Sequence, residues 1–310
     1  MSGKQAERIL IVKLGALGDF IQALGPMAAI RKAHPQAHIT LLTTKPFEKF
    51  AHDCGYVDEI WLDERPGLPD IGGWLRLHKK LNGGGFTRVY DLQNNDRTSL
   101  YFRLFTKSRR PEWVGVAKGC SHRNTSPERT AGHAFDGHVQ TLALAGITDI
   151  KVDRLEWMDG DIGAFPLKSP FVLLVPGCAP ERPEKRWSAS GYAALAAMLA
   201  GEGVQPVIIG TLAEKEAAQE IAQNCPEALD LTDQTSLGQI TALARSAAGA
   251  VGNDTGPMHL ICATGCSGLV LFSGHSDPVR HAPKGEAVQV LRENDLADLA
   301  AEAVFEALSL

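Results

Sequence analysis

The sequence predicts an α/β protein built from two doubly wound parallel-sheet domains facing across a cleft. Three observations carry that reading. Short apolar runs alternate with helical patterns along the whole chain. The joints between them are short and rich in glycine, which supplies 31 of 310 residues, about 10% against a usual ~7%. The alternation lapses once, over Ile147–Ser169, where polarity is mixed and no period is clean, and then restarts on a fresh strand. Strand–helix alternation with short joints implies right-handed crossovers and parallel sheets. A length of 310 residues suits two domains, expected at 1–155 and 156–310.

The elements follow in order. Arg8–Leu14 is a strand, and Asp19–Ala33 a helix with Ile21, Leu24, Met27, Ala28 and Ile30 on one face, ended by Pro35. Strand His38–Thr44, helix Pro46–Cys54 and strand Glu59–Leu62 come next. Helix Ile71–Leu81 is stopped by Gly83-Gly-Gly. Strand Arg88–Leu92, helix Arg97–Phe105, strand Glu112–Val116 and helix Gly137–Ala145 close the first half. The second half reads as strand Phe171–Val175, helix Ser190–Leu199, strand Gln205–Ile209 and helix Ala213–Gln223. Helix Leu237–Ala244, strand Gly249–Val251, helix Gly256–Ala263, strands Gly268–Phe272 and Ala287–Leu291, and helix Asp295–Leu308 complete it.

Composition narrows the function. The chain is 44% hydrophobic and 22% charged, which excludes disordered, collagenous and coiled-coil classes. A net charge of −5 argues against a general nucleic-acid binder. The halves differ: residues 1–155 carry 22 Lys and Arg against 16 Asp and Glu, residues 156–310 carry 9 against 20. Much of the positive excess lies in Arg103–Arg129, including Arg109 and Arg110. This stretch is either a solvated face or a docking surface for an anionic partner. No apolar stretch is long enough to span a membrane, and the run from Ile9 stops at Lys13 without a cleavage-type site. Six scattered cysteines without Cys-x-x-Cys predict reduced, mostly buried thiols rather than a zinc site.

In open α/β sheets, ligands sit at the carboxyl ends of strands. Three joints there could carry chemistry. The first is Lys13-Leu-Gly-Ala-Leu-Gly-Asp19. It lacks Gly-x-Gly-x-x-Gly, so nicotinamide binding is not indicated. Asp19 is either a helix cap or a carboxylate that takes a proton from an attacking hydroxyl. The second is Pro176-Gly177, leading to Lys185-Arg186-Trp187. Its two bases are either solvated or suited to a phosphate. The third is Asp254-Thr255-Gly256-Pro-Met-His259. Asp254 and Thr255 can cap, Pro257 fits a first helical turn, and the helix N-terminus attracts anions. Asp254 is otherwise an acceptor for a sugar hydroxyl, and His259 a core or a cleft residue.

Taken together, the three joints resemble glycosyltransferase family 9, the ADP-heptose:lipopolysaccharide heptosyltransferases. The family begins with strand-Lys-x-x-x-x-Gly-Asp, carries Pro-Gly followed by Lys-x-Trp, and carries Asp-[Thr/Ser]-Gly-x-x-His. The resemblance implies a GT-B fold and inverting, metal-independent transfer, with an ADP-sugar as co-substrate and no further cofactor. It implies Asp19 as catalytic base and Lys185 as the cation for the departing diphosphate. Arg186, Glu214, Asp254, Thr255, Gly256 and His259 would join Lys185 around the donor. Gly18, Gln93 and Arg97 would face the acceptor, along with Arg109 and Arg110. Ser273-Gly-His-Ser-Asp-Pro278 departs from the family's commoner Gly-Pro-[Thr/Ser]-x-Pro, and His275 is either a donor contact or loop filling.

An anionic glycolipid acceptor, core oligosaccharide with its Kdo carboxylates and phosphates, would suit the basic first half. The expected location is cytoplasmic, peripheral at the inner face of the inner membrane. Asp159-Gly-Asp161 is the only Asp-x-Asp, and its place in the linker argues against metal binding. The rival reading is a non-catalytic nucleotide-sugar-binding protein of the same fold.

Overall fold

A computed structural model describes residues 7–179 and 181–308. The chain forms two compact units, Met1–Val152 and Asp153–Leu310, so the division falls three residues earlier than the sequence suggests. In the first unit the strands are β1 (Arg8–Val12), β2 (His38–Thr43), β3 (Glu59–Leu62), β4 (Arg88–Asp91), β5 (Glu112–Gly115) and β6 (His122–Arg123). Its helices are α1 (Leu17–Ala33), α2 (Glu48–Asp53), α3 (Ile71–Gly83), α4 (Asp96–Leu104), α5 (Glu128–Ala131) and α6 (Ala134–Ala143). The second unit has strands β7 (Phe171–Val175), β8 (Gln205–Ile208), β9 (Leu229–Asp230), β10 (Gly249–Asn253), β11 (Gly268–Phe272) and β12 (Val288–Arg292). Its helices are α7 (Ala189–Gly201), α8 (Lys215–Asn224), α9 (Leu237–Ser246), α10 (Gly256–Ala263), α11 (Pro278–His281) and α12 (Ala301–Ala307).

Each unit holds one six-stranded parallel sheet. The orders are β3-β2-β1-β4-β5-β6 and β9-β8-β7-β10-β11-β12, the same doubly wound path twice. The strand order reverses between β1 and β4 in one sheet and between β7 and β10 in the other. Val12 lies beside Asp91, and Val175 beside Gly252. The joints leaving these four strands therefore flank the two switch points, where such sheets bind ligands. Central strands are buried on both faces: β7 and β11 have no exposed residue, as their unbroken apolar runs require. Separate cores form around Leu10, Val12 and Trp113 in the first unit and Leu174, Tyr192 and Val251 in the second.

Several elements differ from the sequence reading, each for a physical reason. Helix α1 starts at Leu17, so Asp19 sits in its first turn instead of opening it. The two-residue strands β6 and β9 are too short to carry a period. The expected helix Asp295–Leu308 breaks at Leu299–Ala300, which are extended, because the Trp187 indole N–H donates to the Leu299 carbonyl at 3.0 Å. The stretch expected as a linker has no helix or strand between residues 147 and 169, yet it is fastened to its own unit. Arg245 of α9 donates to the Leu155 and Met158 carbonyls, and Leu155 is fully buried. All six cysteines are free thiols, five of them buried.

Candidate active site

The joint after β1 turns on Gly15, whose φ of +125° suits glycine; an added Cβ would also lie 2.7 Å from the Phe47 ring. Asp19, exposed in the first turn of α1, accepts from the Ala16 N–H at 3.4 Å, and Gly18 beside it is buried. The N-cap position is Ala16, and Asp19 at the third helical position accepts its N–H, so Asp19 caps α1 from within the first turn rather than as the N-cap residue. Lys13, which ends β1's apolar run, is almost wholly buried, and its ammonium donates to the Leu92 carbonyl at 3.2 Å. Burial pushes its pKa down, while the Asp19 and Asp91 carboxylates pull the other way.

The joint after β4 is locked onto the first. The Gln93 side-chain oxygen accepts from the Leu14 N–H at 2.8 Å. Buried Asp91 accepts from the Gln93 and Asn94 N–H groups at 3.1 and 2.9 Å, and burial raises its pKa to about 6. Lys13, Gln93 and Asp91 thus hold two loops at the switch point in one arrangement, and sequence reasoning gave Lys13 and Asp91 no role. A charged residue closing an apolar strand was the available signal at both positions. His138 of α6 is buried as well, and burial pushes its pKa down to about 3.

The basic residues of this unit divide into two kinds. Arg97 donates to the Tyr101 hydroxyl and the Pro66 carbonyl and lies over the Trp74 ring. Arg110 stacks on Phe102, 4.4 Å from the ring centre. Both brace the fold. Arg109, with Arg103 and Lys107, is exposed.

In the second unit, buried Asn253 at the end of β10 joins the two joints of its switch point. Its amide nitrogen donates to the Pro176 and Gly177 carbonyls at 2.8 and 3.3 Å. Its oxygen accepts from the Trp187 N–H at 3.0 Å and the Tyr192 hydroxyl at 3.3 Å. Sequence reasoning passed over it, although an amide inside an apolar strand is conspicuous. The Lys185 ammonium then meets the Asp254 carboxylate at 2.7 Å, and the Ser276 hydroxyl donates to the same oxygen at 2.6 Å. The side chains are only 17% and 9% exposed.

Asp254 therefore spends its carboxylate on Lys185 and Ser276 and does not cap α10. Thr255 is the N-cap, and it makes no side-chain cap hydrogen bond among the described residues. Helices α7 and α9, by contrast, are capped by Ser188 and Ser236. The start of α10 at Thr255 and Gly256 thus presents backbone amides beside a lysine, the arrangement that binds anions. His259 is buried one turn into α10. Glu214 accepts from the Thr211 N–H and hydroxyl, both at 2.8 Å, and its side chain covers Gly177, where an added Cβ would come within 2.8 Å of it. Arg186 folds back onto its own loop, its guanidinium donating to Cys178 Sγ at 3.2 Å. Exposed His275 offers its carbonyl to Arg182 at 3.1 Å.

Asp159 and Asp161 serve turns, accepting from the Gly160 and Gly163 N–H groups. Among the described residues no cluster of His, Cys, Asp or Glu is placed to hold a metal ion.

The profile of glycosyltransferase family 9 (heptosyltransferase) matches residues 146–307, just over half of the chain. The chain belongs to glycosyltransferase family 9. This family 9 glycosyltransferase is 24% identical over 310 residues to the lipopolysaccharide core heptosyltransferase OpsX of Haemophilus influenzae, covering 92% of this chain and 85% of that one. It is 26% identical to lipopolysaccharide heptosyltransferase 2 of Escherichia coli, covering 92% and 88%. Among solved structures, a family 9 glycosyl transferase of Veillonella parvula superposes with a TM-score of 0.82 at 22% identity, covering 97% of this chain and 95% of that one. The E. coli ADP-heptose LPS heptosyltransferase II gives 0.75 at 22% identity, covering 97% and 98%. The two Rossmann-like units are those of the GT-B fold, and the enzyme reading stands over the non-catalytic one. Among the described residues, no helix is long and apolar enough to cross a membrane.

Proposed function

We propose that this glycosyltransferase transfers heptose from ADP-heptose to a lipopolysaccharide core acceptor, with inversion and without a metal ion. The observation that carries it is the pairing of Lys185 with Asp254 at the uncapped start of α10. It holds an ammonium beside the backbone amides that open α10, at a switch point in the unit that holds the family match. The names of the relatives supply the sugar and the acceptor class.

Inversion takes one displacement. The acceptor oxygen forms a bond to the anomeric carbon, the bond from that carbon to the diphosphate breaks, and ADP leaves with the electron pair. The hydroxyl proton passes to the exposed carboxylate of Asp19. The Lys185 ammonium and the Thr255 and Gly256 amides take up the charge that develops on the diphosphate, the service a metal ion gives elsewhere. Asp254 and Ser276 hold Lys185 in place, and Glu214, at Gly177, is positioned for the nucleoside end. Lys13, Asp91 and Gln93 keep the Asp19 loop in shape. Arg109, with Arg103 and Lys107, draws the anionic acceptor, and the enzyme works as a peripheral protein on the cytoplasmic face of the inner membrane.

The test is direct. The enzyme is incubated with ADP-heptose and core acceptor in EDTA, and ADP release, acceptor mass and the anomeric configuration of the new linkage are read. ADP release with one heptose added and inverted configuration is the expected result. Activity that vanishes in EDTA and returns with Mg²⁺ or Mn²⁺, or retained configuration, contradicts it.

A further inference from the structure

Seven large apolar side chains are exposed among the described residues, and three of them lie within eight positions: Leu68 at 87%, Ile71 at 72% and Leu75 at 62%. Helix α3 turns Gly73, Leu77 and Leu81 inward. Ile71, Leu75 and Lys79 recur every four residues on the opposite side, so they form one outward stripe. Leu68, in the turn before the helix and three residues from Ile71, is more exposed still.

The turn is braced from behind. Arg97 donates to the Pro66 carbonyl at 2.8 Å, the Trp74 indole to the Gly67 carbonyl at 2.9 Å, and Asp70 caps α3 through the Gly73 N–H at 2.8 Å. Leu68 and Ile71 are thus held outward on a fixed support. Bases border the crest: Lys79 continues it and exposed Arg76 flanks it, with Arg65 exposed in the turn. At its far end α3 is tied to the next loop, the Asn82 side chain accepting from the Thr106 N–H, and exposed Lys107 and Arg109 follow there. Of the nearby acids, Glu64 pairs with Arg76 and offsets its charge, and Asp70 is used as the cap, so Lys79 and Arg65 at the crest, with Lys107 and Arg109 beyond it, carry the positive excess.

We infer that the crest Leu68–Ile71–Leu75 is a membrane-docking element that enters the headgroup and upper acyl region of an anionic phospholipid bilayer. An apolar stripe rimmed by Lys and Arg is the pattern of a surface-lying helix, whose apolar residues insert while the cations meet lipid phosphates. A second copy of the chain fits less well. A symmetric contact would set Lys79 and Arg76 against their own counterparts, and three side chains fall far short of the roughly 800 Å² per partner that stable dimers bury. The inference rests on the glycolipid-acceptor reading and locates the surface by which the enzyme would reach that acceptor.

The full chain is sedimented with vesicles of phosphatidylethanolamine and phosphatidylglycerol, and with phosphatidylcholine vesicles. Binding to the anionic vesicles alone, weakening as salt rises, is expected. Leu68→Ser with Leu75→Ser should lower that binding at least about tenfold, since each leucine contributes its transfer free energy. Leu144→Ser with Val290→Ser, exposed elsewhere, should leave it unchanged. Transfer to a soluble, deacylated acceptor should be the same in all three proteins, and transfer to acceptor embedded in vesicles should fall only in the crest variant. Wild type that ignores anionic vesicles, or a crest variant that binds like wild type, overturns the inference, as does a crest variant that differs only in oligomeric state. Vesicle binding lost with the crest but no heptosyl transfer at all would overturn the activity reading and leave the docking surface standing.

Discussion

Replacing Lys185 with methionine removes the ammonium and keeps most of the side chain's length and apolar contact. Its partner Asp254 is then left as a carboxylate only 9% exposed, with the Ser276 hydroxyl as its remaining side-chain donor. Breaking a buried ion pair on one side typically costs about 3–5 kcal/mol. Retention of the Ser276 hydrogen bond places Lys185→Met at the lower end, about 3 kcal/mol. Most of that loss belongs to Asp254, so adding Asp254→Asn should recover the larger part of it. The two roles of Lys185 then separate. Stability is read by urea unfolding, ADP affinity by calorimetry and turnover by ADP release. The double variant should unfold near wild type, bind ADP weakly and turn over slowly. If it regains ADP affinity together with stability, Lys185 serves only as a partner for Asp254, and the cation for the diphosphate lies elsewhere.

Three further outcomes follow from the same geometry. Asn253→Ala removes both halves of a buried amide that joins Pro176, Gly177, Trp187 and Tyr192, so it should cost about 2–4 kcal/mol by urea unfolding and weaken ADP binding; a loss under about 1 kcal/mol contradicts the joining role. Because the pKa of His138 lies near 3 in the folded chain, against 6.5 when exposed, its stabilising contribution is complete above about pH 6.5 and is lost as pH falls toward 3. The stability difference between wild type and His138→Gln should therefore shift against wild type by about 1.4 kcal/mol per pH unit over that window, and a pH-independent difference refutes it. Charge reversal of exposed Arg109 and Lys107 should raise the acceptor KM at low salt and leave the donor KM unchanged; a rise in donor KM instead would reverse the roles of the two units.

The alternation of strands and helices was legible because buried parallel strands leave unbroken apolar runs such as Phe171–Val175. Strand order was not legible. Val12 pairs with Asp91 across almost eighty residues, and nothing local in either segment records the partner. The same limit applied at the sites. Lys185 and Asp254 stood out as a base and an acid at strand ends, but their 2.7 Å contact spans 69 residues of sequence. Arg97 and Arg110 read as acceptor-facing bases, and only packing shows Arg97 bonded to Tyr101 and Pro66 and Arg110 stacked on Phe102. The break at Leu299 shows tertiary contact overriding helical pattern, since an indole more than a hundred residues away takes its carbonyl.

Turnover by Asp19→Asn tests the central claim most directly. Asparagine keeps an oxygen for the Ala16 N–H, and loss of the negative charge near the helix N-terminus should cost only about 0.3–1 kcal/mol. The variant should melt close to wild type and bind ADP normally. It cannot take the acceptor proton, so its kcat on ADP-heptose and core acceptor should fall by at least about a hundredfold. A variant that melts early yet keeps its turnover contradicts the account, because Asp19 would then be a structural residue of the first turn of α1 and the base would belong to another side chain.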